Sequence, residues 1–90
     1  MVYDLYMVPR CDQCVAVKSL LDEKGIDYNT FNLKEQEGKR HFGKNGYIEI
    51  SGKLRTNVQN QALLPILIKR ENGTIEQFAQ EFEEIKEMFD

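Results

Sequence analysis

Apolar residues fall in blocks whose spacing changes along the chain. Val2, Leu5, Met7 and Val8, with Tyr3 and Tyr6 among them, leave almost no polar face over residues 2–8. So apolar a run predicts a strand covered on both sides, as in a sheet with helices on each face. Pro9 ends it, because proline has no N–H to give to a ladder. From Cys11 to Lys24 the apolar positions Cys14, Val15, Val17, Leu20 and Leu21 recur at helical spacing, and Gly25 follows. Glycine there supplies the left-handed residue that stops a helix. Ile26, Tyr28, Phe31 and Leu33 alternate loosely and predict a second strand over residues 26–33. Strand, helix and strand make a βαβ unit, whose two strands run parallel and side by side.

Residues 34–61 are polar, carry Gly38, Gly43, Gly46 and Gly52, and hold no sustained period. A short helix from Glu35 to Lys44 is the expectation there, with Tyr47 to Ile50 either extended or a further helical turn. The stretch is locally basic, and a solvated surface explains its charges better than a docking patch. Pattern returns at Ala62-Leu63-Leu64-Pro65-Ile66-Leu67-Ile68, a buried strand opened by proline. Glu71-Asn72-Gly73 predicts a hairpin turn, since Asn-Gly takes positive φ readily. Thr74 to Gln77 is then an antiparallel edge strand. Phe78, Phe82, Ile85 and Phe89, flanked by Ala79 and Met88, predict a closing amphipathic helix. Its outer face carries Glu81, Glu83, Glu84 and Glu87, read as solubilising charge.

Composition narrows the class. The chain has 90 residues, 41% hydrophobic and 30% charged, with a net charge of −3. That is one small globular domain over residues 1–90, with a single modest core. No apolar run approaches the roughly 20 residues of a membrane span. The mild negative charge argues against binding nucleic acid by bulk electrostatics. The first residues begin a strand at once, with no signal-peptide pattern, so a cytoplasmic protein is expected. In that compartment thiols stay reduced, and two cysteines serve chemistry better than they serve as a staple.

Those two cysteines are Cys11 and Cys14. Three helical steps turn through about 300°, so the two positions lie almost one above the other. Their Cα atoms fall on the order of 5 Å apart, within disulfide reach. Both a dithiol and a disulfide are therefore accessible. A thiol at a helix N-terminus meets unpaired N–H groups and the positive end of the dipole, which stabilise its anion. Arg10 adds a positive charge and Asp12 opposes it. The expected Cys11 thiol ionises more easily than a free one and attacks a disulfide; Cys14, one turn in and less exposed, resolves the mixed disulfide.

The order β-α-β-α-β-β-α, with a Cys-x-x-Cys at the first strand-to-helix junction, resembles a thioredoxin-fold protein of glutaredoxin size. More narrowly it is similar to a glutaredoxin or glutaredoxin-like redoxin. The resemblance rests on Cys11-Asp12-Gln13-Cys14, Leu64-Pro65, the Asn-Gly hairpin and the closing helix. It implies an α/β fold, with a central four-stranded mixed sheet and helices on both faces. The activity it implies is that of a thiol–disulfide oxidoreductase. It also implies a cis Pro65 facing the disulfide, a Leu64 backbone that pairs with bound peptide or glutathione, and substrate positions at Arg10, Gln13, Leu64 and Pro65. No tightly bound cofactor and no metal are implied; glutathione is a possible co-substrate, disulfide-containing proteins are partners, and a monomer is expected.

Departures from the family pattern bear on the partner. Asp12 and Gln13 stand where proline and an aromatic are common, and Val8 where lysine often precedes the motif. Glutamine before the second cysteine is similar to the small redoxins that supply ribonucleotide reductase. No Gly-Gly occurs over Ile75 to Ala79, and the aromatic-Ser-Gly-Phe ending of those redoxins is missing too. Glutathione and a flavin-dependent reductase both stay open as electron donors. Two alternatives stay open: a dedicated electron donor to a reductase such as ribonucleotide reductase, and a carrier in which two chains bridge an iron–sulfur cluster through Cys11, with glutathione supplying the remaining thiolates. His41 is expected at the surface, and Tyr6 in the core or lining a substrate groove. Arg55, Thr56 and Gln59, or Lys53, are candidates for binding a ligand carboxylate.

Overall fold

A computed structural model describes the backbone of residues 1–90 and the side chains of all but residues 46–48. The elements run β1 (Val2–Met7), α1 (Asp12–Glu23), β2 (Asn29–Asn32) and α2 (Gln36–Phe42). A π-helical turn (Gly43–Tyr47) and one α turn, α3 (Ile48–Ile50), come next. The chain closes with β3 (Ile66–Glu71), β4 (Thr74–Gln80) and α4 (Glu81–Glu87). The sheet has the order β2-β1-β3-β4. Its β1–β2 pair is parallel and its other two pairs are antiparallel, so the mixed sheet expected from the sequence is present.

Two cores cover the two faces. Leu5, Leu67 and Ala79 pack with Val17 and Leu21 of α1 and Ile85 of α4. Tyr6, Ile66 and Ile68 pack on the other face with Phe42 of α2 and Ile50 of α3. The alternation of Leu5 and Tyr6 along β1 is the strand period distributing side chains to opposite faces. Lys69 pairs with Gln77 and Arg70 with Ile75, so Glu76 is an extra residue in β4. This bulge returns Ile75 to the same face as Phe78, against simple alternation.

Local chemistry sets the ends of α1. Cys11 is its N-cap, and at the far end Gly25 (φ 67°) donates to the Asp22 carbonyl while Ile26 donates to that of Leu21. That is the paired closure expected of glycine after a helix. Asn72 (φ 54°) and Gly73 (φ 79°) make the β3–β4 hairpin turn.

Boundaries differ from the sequence reading where tertiary pairing outweighs local period. Phe78 and Ala79 belong to β4: Ile68 pairs with Phe78, Leu67 with Ala79 and Ile66 with Gln80. Extending β4 satisfies the backbone of the buried β3, and a helix starting at Phe78 would leave that ladder unpaired. The stripe at Phe78, Phe82, Ile85 and Phe89 is therefore split, with Phe78 on one face and the other three on the opposite one. β2 is shorter than residues 26–33, and β3 begins at Ile66 instead of Ala62. Residues 62–65 form the approach to β3 instead. Among the described residues no helix is long and apolar enough to cross a membrane.

Candidate active site

β1 ends at Met7, and a turn through Pro9 and Arg10 (φ 59°) delivers Cys11 to the start of α1. Cys11 and Cys14 are joined by a disulfide, with Cα atoms 5.2 Å apart. The Cys11 sulfur also accepts a hydrogen bond from the Cys14 N–H at 3.1 Å. Helix start and sulfur are thus matched in the way the sequence predicts: an orphan N–H of the first turn finds the sulfur as its acceptor. Cys14 is only 3% exposed, whereas Cys11 is partly open. An incoming group can therefore meet Cys11 first.

Antiparallel pairing of Tyr6 with Ile66 brings the end of β1 beside the start of β3. The Cys11 turn and Leu64-Pro65 consequently leave the same end of the sheet. The Leu64–Pro65 peptide bond is cis, as the resemblance implies, and Pro65 is fully buried. Among the described residues the Leu64 backbone has no hydrogen-bond partner. Gln13 is not a free side chain. Its Oε1 accepts from the Phe82 N–H at 2.8 Å, and its amide nitrogen lies 3.4 Å from the Glu81 carboxylate. Gln13 thereby ties α1 to the start of α4. Arg10 is exposed at the turn.

Two openings flank this end of the sheet. One, of about 570 Å³, is lined by Val8, Leu33, Lys34, Lys39, Leu64 and Glu81 among others. The second, of about 460 Å³, has Ala16 and Phe82 with Asp12, Gln13, Glu81 and Glu83 around them. The cations beside Leu64 are thus Lys34 and Lys39, which the sequence reading had assigned to a solvated surface. Arg55, one of the candidates for binding a ligand carboxylate, is instead paired with Glu84 and lies 3.7 Å from Glu81. Thr56 bridges to Ala62, and Gln59 is exposed. Glu81 and Glu84 are correspondingly structural partners and not only solubilising charge.

Gln80 and Glu81 carry no periodic signal of their own, and a helix starting at Phe78 would have turned both into surface positions. Gln80 is 1% exposed and Glu81 has φ 66°. Glu81 donates its N–H to the Pro65 carbonyl at 2.8 Å, so the β4–α4 junction holds the proline as well as Gln13. One further sequence expectation is decided between its alternatives, and another changes. Tyr6 is fully buried, so the core reading holds and the groove-lining one does not. His41 is half-buried, stacked on Phe31 at 3.7 Å between ring centroids and hydrogen-bonded to the Tyr6 hydroxyl. An aromatic neighbour and a buried phenol draw it off the surface.

Comparison with known proteins agrees with this geometry. A family model described as glutaredoxin matches residues 4–52, more than half of the chain. The fold is similar to that of the glutaredoxin-like protein NrdH-redoxin from Escherichia coli, at TM-score 0.62 and 18% identity over 98% of this chain and 95% of that one. It is similar also to the glutaredoxin (grx-1) from Archaeoglobus fulgidus, at TM-score 0.62 and 18% identity over 97% and 84%. No curated protein sequence matches the chain. With a Cys-x-x-Cys pair at the first helix start of a thioredoxin fold, and a glutaredoxin match over most of that region, the chain belongs to the glutaredoxin family.

Proposed function

We propose that the protein reduces disulfides of proteins or of glutathione through the Cys11/Cys14 dithiol, with Cys11 as nucleophile. The observation that carries this is the asymmetry of the pair: Cys11 caps a helix and is partly open, while Cys14 is buried behind it within bonding distance. A Cys11 thiolate attacks one sulfur of the substrate disulfide. The new Cys11–substrate bond forms as the old S–S bond breaks, and the departing thiolate takes a proton from solvent. Cys14 then loses its proton and attacks the Cys11 sulfur, releasing the second substrate thiolate and leaving the Cys11–Cys14 disulfide seen here. Two electrons pass to the substrate. Two glutathione thiols, or a flavin-dependent reductase, return them.

The basic groove supports a role for glutathione. Lys34 and Lys39 suit the carboxylates of a small peptide, and the unpaired Leu64 backbone suits its amides. Arg10, at the lip of the turn, and the Leu64 backbone complete the substrate-binding set in this reading, while Gln13, held by Phe82 and Glu81, and the buried Pro65 shape the site from beneath. The test is a pair of variants assayed with glutathione, and with thioredoxin reductase, as donor. Cys11→Ser is expected to abolish turnover with every substrate. Cys14→Ser is expected to keep reduction of glutathione mixed disulfides, which needs one thiol, and to lose reduction of protein disulfides. The reverse pattern, with Cys11→Ser active and Cys14→Ser dead, would overturn the assignment.

A further inference from the structure

We propose that Gln80 is a positioning residue: its buried amide sets one wall of the substrate groove and so governs how well an extended peptide disulfide is held beside Pro65. This rests on the oxidoreductase reading above and deepens it toward peptide substrates. Gln80 is the last residue of β4, pairs with Ile66 at the start of β3, and is 1% exposed. An amide at that depth is costly unless its hydrogen-bonding atoms are satisfied. Here they are. Its Oε1 accepts from the Arg55 N–H at 2.8 Å, and its Nε2 donates to the carbonyls of Arg55 and Leu63, each at 3.0 Å.

All three partners are backbone atoms of the one segment that leads into Pro65. That segment is also internally braced. Leu63 donates to the Arg55 carbonyl, Thr56 bridges Ala62, and the Asn57 side chain accepts from the N–H groups of Gln59 and Gln61. It therefore behaves as a unit, and Asn57, Gln61, Ala62, Leu63 and Leu64 of this unit line the groove. Leu54, Ala62 and Leu64 press it onto the core, but apolar contact is non-directional and does not fix its height over the sheet. The directional anchors to β4 are the three bonds of the Gln80 amide, supplemented by the Arg55 guanidinium on the Gln80 carbonyl at 3.4 Å.

A small alkyl disulfide needs only the Cys11 sulfur, whereas an extended peptide also uses the Leu64 backbone and the wall. Loosening the wall is therefore felt by one substrate class and not by the other. The experiment compares wild type with Gln80→Met, close in shape and without hydrogen bonds, on a peptide disulfide and on a hydroxyethyl disulfide. For the peptide, KM is expected to rise about tenfold with kcat nearly unchanged, the scale of losing such bonds. For the hydroxyethyl disulfide kcat/KM is expected to stay within about twofold, and the pH profile to be unmoved. Equal losses on both substrates, or no change in a folded variant, would overturn the proposal.

Should Gln80→Met fail to fold, Cys14→Ser protein trapped as a Cys11 mixed disulfide supplies the answer by NMR. The Gln80 side-chain amide protons are expected to shift on trapping the peptide and not on trapping mercaptoethanol. No difference between the two adducts would overturn it equally. A wild type inert toward both disulfides would instead bring down the oxidoreductase reading, and this proposal with it.

Discussion

At Tyr6 a phenol, a guanidinium and an imidazole meet inside the molecule. Arg70 binds Asp4 through Nε at 2.8 Å and donates from Nη2 to the Tyr6 oxygen at 3.0 Å; Asn29 donates to the other Asp4 oxygen at 3.1 Å. A guanidinium only donates, so the arrangement with no buried hydrogen left over sends the phenol hydrogen to His41 Nδ1, 2.9 Å away. Burial pushes the Tyr6 hydroxyl up to about 12, outweighing the downward pull of Arg70. Its ordinary value is 10.0, so the folded state holds the proton over a window in which the unfolded chain releases it. The resulting stability is present below pH 10 and is lost as pH rises through about 12. Denaturant unfolding against pH checks this: the stability difference between wild type and Tyr6→Phe should narrow across that window. A difference that stays constant would contradict it.

Among the elements, α2 sits where it does because Gly38 has no side chain. A Cβ added there would lie 2.0 Å from the Asn32 carbonyl oxygen, a backbone atom that cannot step aside cheaply. Close approach, and not positive φ, is what this position requires. Gly38→Ala is expected to push α2 off β2 and cost about 1–3 kcal/mol, against the usual helical gain of alanine over glycine. A thermal or urea midpoint equal to or above wild type would show that the helix has room. Displacing α2 also carries Lys39 and the His41–Phe31 stack, so the groove should suffer along with stability. The sequence reading placed this helix within two residues of its observed ends, yet nothing in its polar, aperiodic stretch told that Gly38 faces a strand end.

For the whole molecule, stability lies in the two cores and not in the disulfide. Leu5, Leu67 and Ile85 pack on one face and Tyr6, Ile66 and Ile68 on the other, each fully buried and none dependent on the bond. Cys11 and Cys14 enclose so short a loop that the chain-entropy account assigns the link about 2 kcal/mol. Reduction is therefore expected to leave a cooperative transition, with unfolding free energy lowered by no more than about that amount. Loss of the transition on reduction would mean that the bond is a staple, and the redox reading would lose its physical basis. Retention is what a dithiol that cycles between states requires.

Much of the site was legible because its causes are local. A sulfur three residues from another at the start of a helix, a proline in front of an apolar strand, Gly25 after a helix and Asn72-Gly73 in a hairpin each act within a few residues of themselves. Those features the sequence alone determined, together with the α/β order and the place of the Cys11–Cys14 pair at the first strand-to-helix junction. Only the tertiary structure decided where β4 ends, because the requirement to satisfy the buried β3 overrode the helical stripe beginning at Phe78. That choice turned Gln80 inward to the approach of Pro65 and Glu81 toward Gln13. The tertiary structure likewise decided that Arg55 is paired with glutamates and that Lys34 and Lys39 lie beside the groove. The physical reason is common to all of these: a hydrogen bond or ion pair between residues distant in sequence depends on where the chain returns, and local period carries no record of that.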